Sequence, residues 1–153
     1  MKSIPRLIGL LACLLPTAVE AGRSCSFGGV VSVAFGSYNV FSATALDSAG
    51  SVTYTCSGFA GGDPLRIDFS RGGAPSYNPR RLSKTGGTLN YNLYTDAARS
   101  IIWGDASGGT SNYALTGTGN NATITLNIYG RIPALQNAAV GAYTDTITMT
   151  MDF

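Results

Sequence analysis

The chain has 153 residues, contains no histidine and carries a formal net charge of +2 at pH 7. The lack of histidine excludes imidazole-based catalysis and histidine metal sites, and the nearly balanced charge gives no indication of a nucleic-acid partner. Only 12% of the residues are charged, whereas 20 are glycine and 8 are tyrosine. This composition is typical of short strands joined by turns, so it predicts an all-β protein. Because the residues that usually hold a cofactor or metal are scarce, we expect no cofactor.

The first 21 residues have the features of a secretory signal peptide. Two basic residues precede a mainly apolar run at 7–15, and Val19-Glu20-Ala21 fits the residue spacing of a cleavage site. The run is shorter than the roughly 20 residues that a membrane-spanning helix requires. We therefore expect export, cleavage after Ala21, and one mature domain over residues 22–153. A lipoprotein signal is the alternative, because Leu10-Leu11-Ala12-Cys13 loosely resembles a lipobox.

Cleavage after Ala21 would leave two cysteines, Cys25 and Cys56. Two cysteines in an oxidising compartment are expected to form one disulfide. In the chain-entropy model, a cross-link closing this loop would stabilise the domain by roughly 3 to 4 kcal/mol. The alternative is two free, buried thiols.

Alternation of apolar and polar residues predicts the strands. The first is expected over residues 25–35, with a bulge or bend at Gly28-Gly29. The second is clearer, because Val52, Tyr54 and Cys56 share one face of residues 51–56. Similar patterns, separated by turns rich in glycine, proline and asparagine, predict three more strands near 65–70, 89–93 and 123–128.

The last strand is predicted over residues 143–153 and reaches the final residue. Its odd positions are mainly apolar, whereas its even positions carry threonine or aspartate. Seven or so strands at this spacing favour an immunoglobulin-like β-sandwich over a barrel. A sandwich that ends on such a strand has either a protected edge or an edge that accepts a partner strand.

Other polar and aromatic residues give weaker signals. The carboxylate pairs Asp63 with Asp68 and Asp96 with Asp105 stand beside glycine, proline or strand ends, where aspartate most often caps turns, so we expect no enzyme. Trp103 follows Ile101 and Ile102, so apolar residues occupy both odd and even positions beside it. We therefore expect it in the core rather than on a sugar-binding surface.

The pair Arg80-Arg81 is the remaining candidate for an interaction patch. We expect it instead to lie in a solvated loop, the usual environment of adjacent arginines.

Several short motifs are dispersed along the chain. They are Cys25, Phe35-Gly36-Ser37-Tyr38, Arg81-Leu82, Trp103-Gly104-Asp105, Gly130-Arg131-Ile132-Pro133, and the longer segments 50–56, 89–96 and 141–151. Taken in chain order, these motifs resemble the spore coat protein U family, which includes the subunits of archaic chaperone-usher pili. The resemblance covers essentially all of the mature chain.

The resemblance implies an incomplete immunoglobulin-like sandwich that lacks its final strand. Such a subunit is folded on a periplasmic chaperone, is assembled through an outer-membrane usher, and receives its missing strand from the N-terminal extension of a neighbouring subunit. It implies a structural protein at the cell surface, in a pilus or coat, with roles in adhesion and biofilm formation and a host or abiotic surface as a further partner.

On this view the first and last strands line the two sides of an acceptor groove. The candidate groove residues are Phe27, Val31, Val33, Ile147, Met149 and Met151. Alternatively, these residues fill a complete core.

The short segment before Cys25 bears on the position in a fibre. A donor extension needs roughly a dozen residues at about 3.3 Å each. Only Gly22, Arg23 and Ser24 lie between the expected cleavage site and Cys25. We therefore expect a tip or initiating position, with Tyr77 and Tyr113 in the candidate contact loops. Two alternatives stay open at this point, namely a self-contained coat protein and a secreted carbohydrate-binding module that uses Trp103.

Overall fold

The structure is a computed structural model that describes residues 22–116 and 122–153. The expected signal peptide and its cleavage site at Ala21 lie outside the described residues. Within the described ranges the chain forms strands and no helix, so no helix of membrane-spanning length occurs there. The eight strands are β1 Ser24–Val31, β2 Leu46–Ser57, β3 Pro64–Phe69, β4 Arg80–Lys84, β5 Gly87–Tyr94, β6 Tyr113–Thr116, β7 Thr123–Ile132 and β8 Met149–Asp152.

The strands form two antiparallel sheets. The larger sheet has the order β1-β2-β7-β5-β4, and the smaller has the order β6-β3-β8. The inner faces of both sheets bury large apolar side chains in one core, as a β-sandwich requires. The predicted all-β, immunoglobulin-like sandwich is confirmed. β1 and β8 are each an edge strand.

The β1–β2 pair is cross-linked and bulged as predicted. Cys25 lies opposite Cys56 in the antiparallel register, and the two form a disulfide. The register shifts between Phe27 and Val30, which places the bulge at Gly28-Gly29. A Cβ atom at Gly28 would lie 2.6 Å from the side-chain oxygen of Thr53 on β2, so glycine is needed for this close approach.

Trp103 lies in the core, as expected, and is 1% exposed. Its ring stacks on Phe69 with the centroids 4.1 Å apart. Its indole N–H donates to the carbonyl of Ile67, at 2.9 Å. A buried indole with a satisfied donor is a packing residue, and its ring offers no face to a sugar.

The expected solvated position is wrong for Arg80, which is 0% exposed. Arg80 is the first residue of β4, whose alternation directs it inward and leaves Arg81 exposed. Its guanidinium donates to the carbonyls of Ser70 and Trp103 and to Oδ1 of Asn92. These acceptors compensate for lost hydration without an adjacent carboxylate, while burial lowers the pKa of Arg80.

The aspartates considered as carboxylate pairs accept local hydrogen bonds or form ion pairs. Asp63 accepts from the backbone N–H of Ala60, and Asp68 lies 3.2 Å from Arg66. Asp96 and Asp105 each accept from the backbone a few residues ahead, in the manner of turn-capping aspartates. The N–H of Ile101 lowers the pKa of the Asp96 carboxyl, and the Ser107 hydroxyl, which also donates to Asp105, lowers that of Asp105, so both groups stay ionised.

The first and last strands are shorter than predicted. β1 ends at Val31 rather than at residue 35, and β8 begins at Met149 rather than at residue 143. The alternation of exposure nevertheless continues through 143–151, with half-buried odd positions and exposed even positions. A strand needs a pairing partner as well as an alternating sequence, and these stretches lack a continuous one within the described structure.

Candidate functional site

The site is an open groove between two lips of the sandwich. The first lip comprises residues 30–41, so it begins with the last two residues of β1 and continues beyond that strand. The second lip comprises residues 138–149 and leads into β8. Residues 32–39 have no strand partner among the described residues, and within 138–148 only Thr144 is bridged to another segment, at Ser83.

The described backbone hydrogen bonds that join the second lip to other segments lie along one side. Thr144 exchanges two backbone hydrogen bonds with Ser83, of 2.8 and 3.0 Å, and the carbonyl of Thr148 accepts from the N–H of Ser70 at 2.9 Å. Backbone groups of successive residues in a strand point to opposite sides. The N–H and C=O groups of Asp145 and Ile147 therefore point toward the open side, and the second lip presents a free strand edge there.

The groove consists of two adjoining cavities. The inner cavity has a volume of about 180 Å³ and lies between Val31 and Val33 on one lip and Ile147 and Met149 on the other. The outer cavity has a volume of about 750 Å³ and extends between 33–41 and 138–145. The floor of the inner cavity is apolar and aromatic, with contributions from Phe69, Tyr91, Leu93 and Ile128.

Asp145 is the one charged residue among the described residues that line the two cavities. Its carboxylate accepts from the Tyr91 hydroxyl at 2.7 Å and from the N–H of Gly73 at 2.9 Å. Burial raises the pKa of Tyr91, which therefore stays a protonated donor. Gly72 has φ +64° and leaves room for this carboxylate, since a Cβ atom there would lie 2.2 Å from an oxygen of Asp145. Asp145 thus attaches the second lip to the core.

Exposed apolar side chains concentrate along the lips. Val31 is 61% exposed, Phe41 is 87% exposed and Val140 is fully exposed. Apolar side chains grouped around an apolar cleft are typical of a surface that another chain covers. The cleft also offers the backbone groups of Asp145 and Ile147, so its chemistry is complementary to that of an added β-strand.

Comparisons with known proteins agree with this architecture. The sequence model of the Spore Coat Protein U domain matches residues 12–150. The chain belongs to this family. Protein U of Myxococcus xanthus is 36% identical over 76 residues, which cover 48% of this chain and 40% of that protein.

A solved structure shares the fold of this Spore Coat Protein U domain. It is a chain of the CsuC-CsuE chaperone-tip adhesion subunit pre-assembly complex, from the archaic chaperone-usher Csu pili of Acinetobacter baumannii. The TM-score is 0.55 at 20% identity, over 86% of this chain and 40% of that chain. The present chain thus spans well under half the length of both proteins.

The structure of this Spore Coat Protein U domain brings together four of the six predicted groove residues. Val31, Val33, Ile147 and Met149 line the inner cavity. Phe27 and Met151 line neither cavity, because they pack against the core further toward the disulfide. We call this part of the domain the closed end. A role of any of these residues in binding a strand stays a prediction.

The two tyrosines predicted in contact loops are both half-buried. The ring of Tyr77 lies beneath the Arg80 guanidinium, 5.2 Å from it, and the ring of Tyr113 lies 6.0 Å from that of Trp103. Sequence reasoning missed the groove-lining Asp145. The signal was present, since Asp145 is the one charged residue on the otherwise apolar face of 143–153.

Proposed function

We propose that this domain is a structural subunit of a surface fibre or coat, assembled when a strand of a neighbouring subunit enters the groove. The observation that carries the proposal is the apolar cleft between the two lips. Each lip spans twelve residues, which at about 3.3 Å per residue corresponds to roughly 40 Å of extended chain. A donor strand of about that length would cover the exposed apolar side chains and pair with the free backbone groups in one step.

We infer that the groove is covered before assembly as well as after it. An exposed apolar cleft beside a free strand edge promotes aggregation. A periplasmic chaperone that lends a strand would prevent this, and an outer-membrane usher would then exchange that strand for one of the next subunit. The related fold in a chaperone-subunit complex supports this route, which leads to the cell surface.

The expected tip position, with adhesion and biofilm formation as its consequences, remains a prediction. It depends on cleavage after Ala21, which lies outside the described residues. N-terminal sequencing of the mature protein tests the cleavage site. Immunogold labelling of the intact fibre tests the position, because a tip subunit labels fibre ends whereas a shaft subunit labels along the length.

The proposed role is structural and not catalytic. The turn hydrogen bonds of Asp96 and Asp105 support it, since they give these carboxylates a structural use. The alternative of a carbohydrate-binding module is not favoured, because Trp103 is buried. The alternative of a self-contained coat protein would require the groove to stay empty in the assembled coat.

The decisive experiment measures thermal unfolding of the mature protein with and without donor peptides. The peptides are copied from the N-terminal extensions of other family members of the same organism. Each control peptide has the same composition but a scrambled order, so that its apolar and polar residues no longer alternate. We expect the matched peptide to raise the midpoint by tens of degrees, as expected for tight binding to the native state alone. A protein that unfolds cooperatively and ignores every peptide would refute strand acceptance and favour the self-contained coat protein.

A further inference from the structure

Beyond β1, the first lip packs on the core through Val33, Phe35 and Tyr38, but it has few hydrogen bonds to the rest of the described domain. Residues 32–38 form no strand ladder in the described structure. The hydroxyl of Ser48 donates to the carbonyl of Ala34 at 2.6 Å. Further along, the hydroxyl of Tyr38 donates to the carbonyl of Pro133 at 2.8 Å and accepts from the backbone N–H of Gln136 at 2.9 Å. Among the described residues, three hydrogen bonds join residues 32–38 to other segments, and the hydroxyl of Tyr38 makes two of them.

The partners of Tyr38 are themselves fixed. The side-chain amide of Gln136 accepts from the N–H of Asn90 at 2.8 Å and donates to the carbonyl of Asn90 at 2.9 Å. This pair of bonds imitates a strand residue paired with β5. Tyr38 thus connects the part of the first lip that has no strand partner to Gln136, and the side chain of Gln136 connects it to the larger sheet.

This connection lies at the end of the groove opposite the disulfide. Pro133 directly follows β7, whose last residue, Ile132, pairs with Leu46 at the start of β2. The disulfide residue Cys56 lies near the other end of β2. The two fixed ends leave the central part of the first lip without a ladder, where Val33 and Phe35 line both cavities.

We propose that Tyr38 is a positioning residue that holds the first lip of the empty groove in the conformation that receives a partner strand. The inference rests on the proposed function, and it adds that affinity depends on preorganisation as well as on contact. When only a fraction of molecules is competent to bind, the apparent dissociation constant rises by the inverse of that fraction. Because Tyr38 is only half-buried, each of its neutral hydrogen bonds is taken at the lower part of the usual range, roughly a factor of three in an equilibrium constant. Loss of both bonds should therefore weaken strand binding by about tenfold.

The test compares Tyr38→Phe with Tyr129→Phe in the mature protein. Both variants keep the aromatic ring, and among the described residues the hydroxyl of Tyr129 has only a long contact, of 3.5 Å, to Asn127. The probe is the donor peptide that stabilises the wild type most. Peptide affinity is measured together with hydrogen exchange of residues 32–38 in the empty and loaded proteins.

We expect about tenfold weaker binding for Tyr38→Phe, with faster exchange of 32–38 in the empty protein and normal protection once the peptide is bound. Unchanged affinity would overturn the inference, even if the thermal midpoint fell, because the hydroxyl would then serve only general stability. If Tyr38→Phe does not fold, Gln136→Ala releases the same anchor from β5 and should show the same pattern. A wild type that binds no peptide overturns the proposed function itself, which separates the two failures.

Discussion

Replacing Ile147 with aspartate tests whether the groove face of the second lip binds a strand. Ile147 is half-buried in the empty domain and lines the inner cavity. Burying an isoleucine completely is worth roughly 1.5 to 3 kcal/mol, so about 1 kcal/mol of that gain remains for the complex. Ile147→Asp loses this gain and must also bury or protonate a carboxylate, at a further cost of at least about 2 kcal/mol. Strand binding should weaken by about 3 kcal/mol, more than a hundredfold.

The matched control is Thr148→Asp, which adds the same charge one residue later. Thr148 is exposed on the opposite face, and its contacts with Ser70 use only its own backbone. We expect it to change peptide affinity by less than about threefold, as is usual for surface substitutions. Fluorescence anisotropy with a labelled donor peptide gives both constants, and circular dichroism checks folding. Equal weakening by the two variants would contradict strand recognition through the odd-numbered face.

Three further predictions concern the stability of the domain. Replacing Cys25 and Cys56 together with serine should lower the free energy of unfolding by roughly 3 to 4 kcal/mol, given the loop of 31 residues, measured by urea denaturation. Arg80→Lys should cost about 2 to 4 kcal/mol in the same assay, because one ammonium group cannot reach all the acceptors of the buried guanidinium, whereas Arg81→Lys should stay within about 0.5 kcal/mol. Two hydrogen bonds from Arg131 lower the pKa of Asp47 in the folded state. The stabilisation from this pair is therefore present above the pKa of Asp47 in the unfolded chain and is lost as the pH falls below about 4. Asp47→Asn should therefore flatten the dependence of the urea midpoint on pH between about 5 and 3, and an unchanged slope would contradict this assignment.

The alternating sequence predicted the direction of side chains better than the extent of pairing. In residues 143–151 the half-buried positions are those that the alternation indicated. Only Met149–Asp152 forms a strand, because β3 provides a partner there. Side-chain direction follows from the local geometry of an extended chain, whereas pairing depends on a second segment that a local pattern does not specify. The extent of the open edge therefore needed the structure.

The buried arginine shows a different limit of sequence reasoning. Arg80 stands between Pro79 and Arg81, a context that is typical of a loop. Its burial depends on the carbonyls of Ser70 and Trp103, which come from distant segments and meet only in the folded sandwich. The disulfide was simpler to predict, because the expected cleavage after Ala21 would leave Cys25 and Cys56 with only each other as partners.

The two ends of the groove are stabilised by different kinds of interaction. At the closed end a disulfide joins β1 to β2, and the ring of Phe153 packs against that of Phe59 with centroids 5.9 Å apart. At the open end the hydroxyl of Tyr38 and the carboxylate of Asp145 add polar contacts to the packing of the lips on the core and to the Thr144–Ser83 backbone bonds.

This asymmetry would suit the proposed function, in which the domain accepts a strand without unfolding. Isolated polar contacts can break and reform as the lips adjust, and such local opening needs much less free energy than exposure of a cross-linked core. Because the closed end stays intact, an entering strand does not have to rebuild the sandwich. The free energy of apolar burial and backbone pairing is then available for association, and a coat or fibre joined in this way is held by continuous β-ladders.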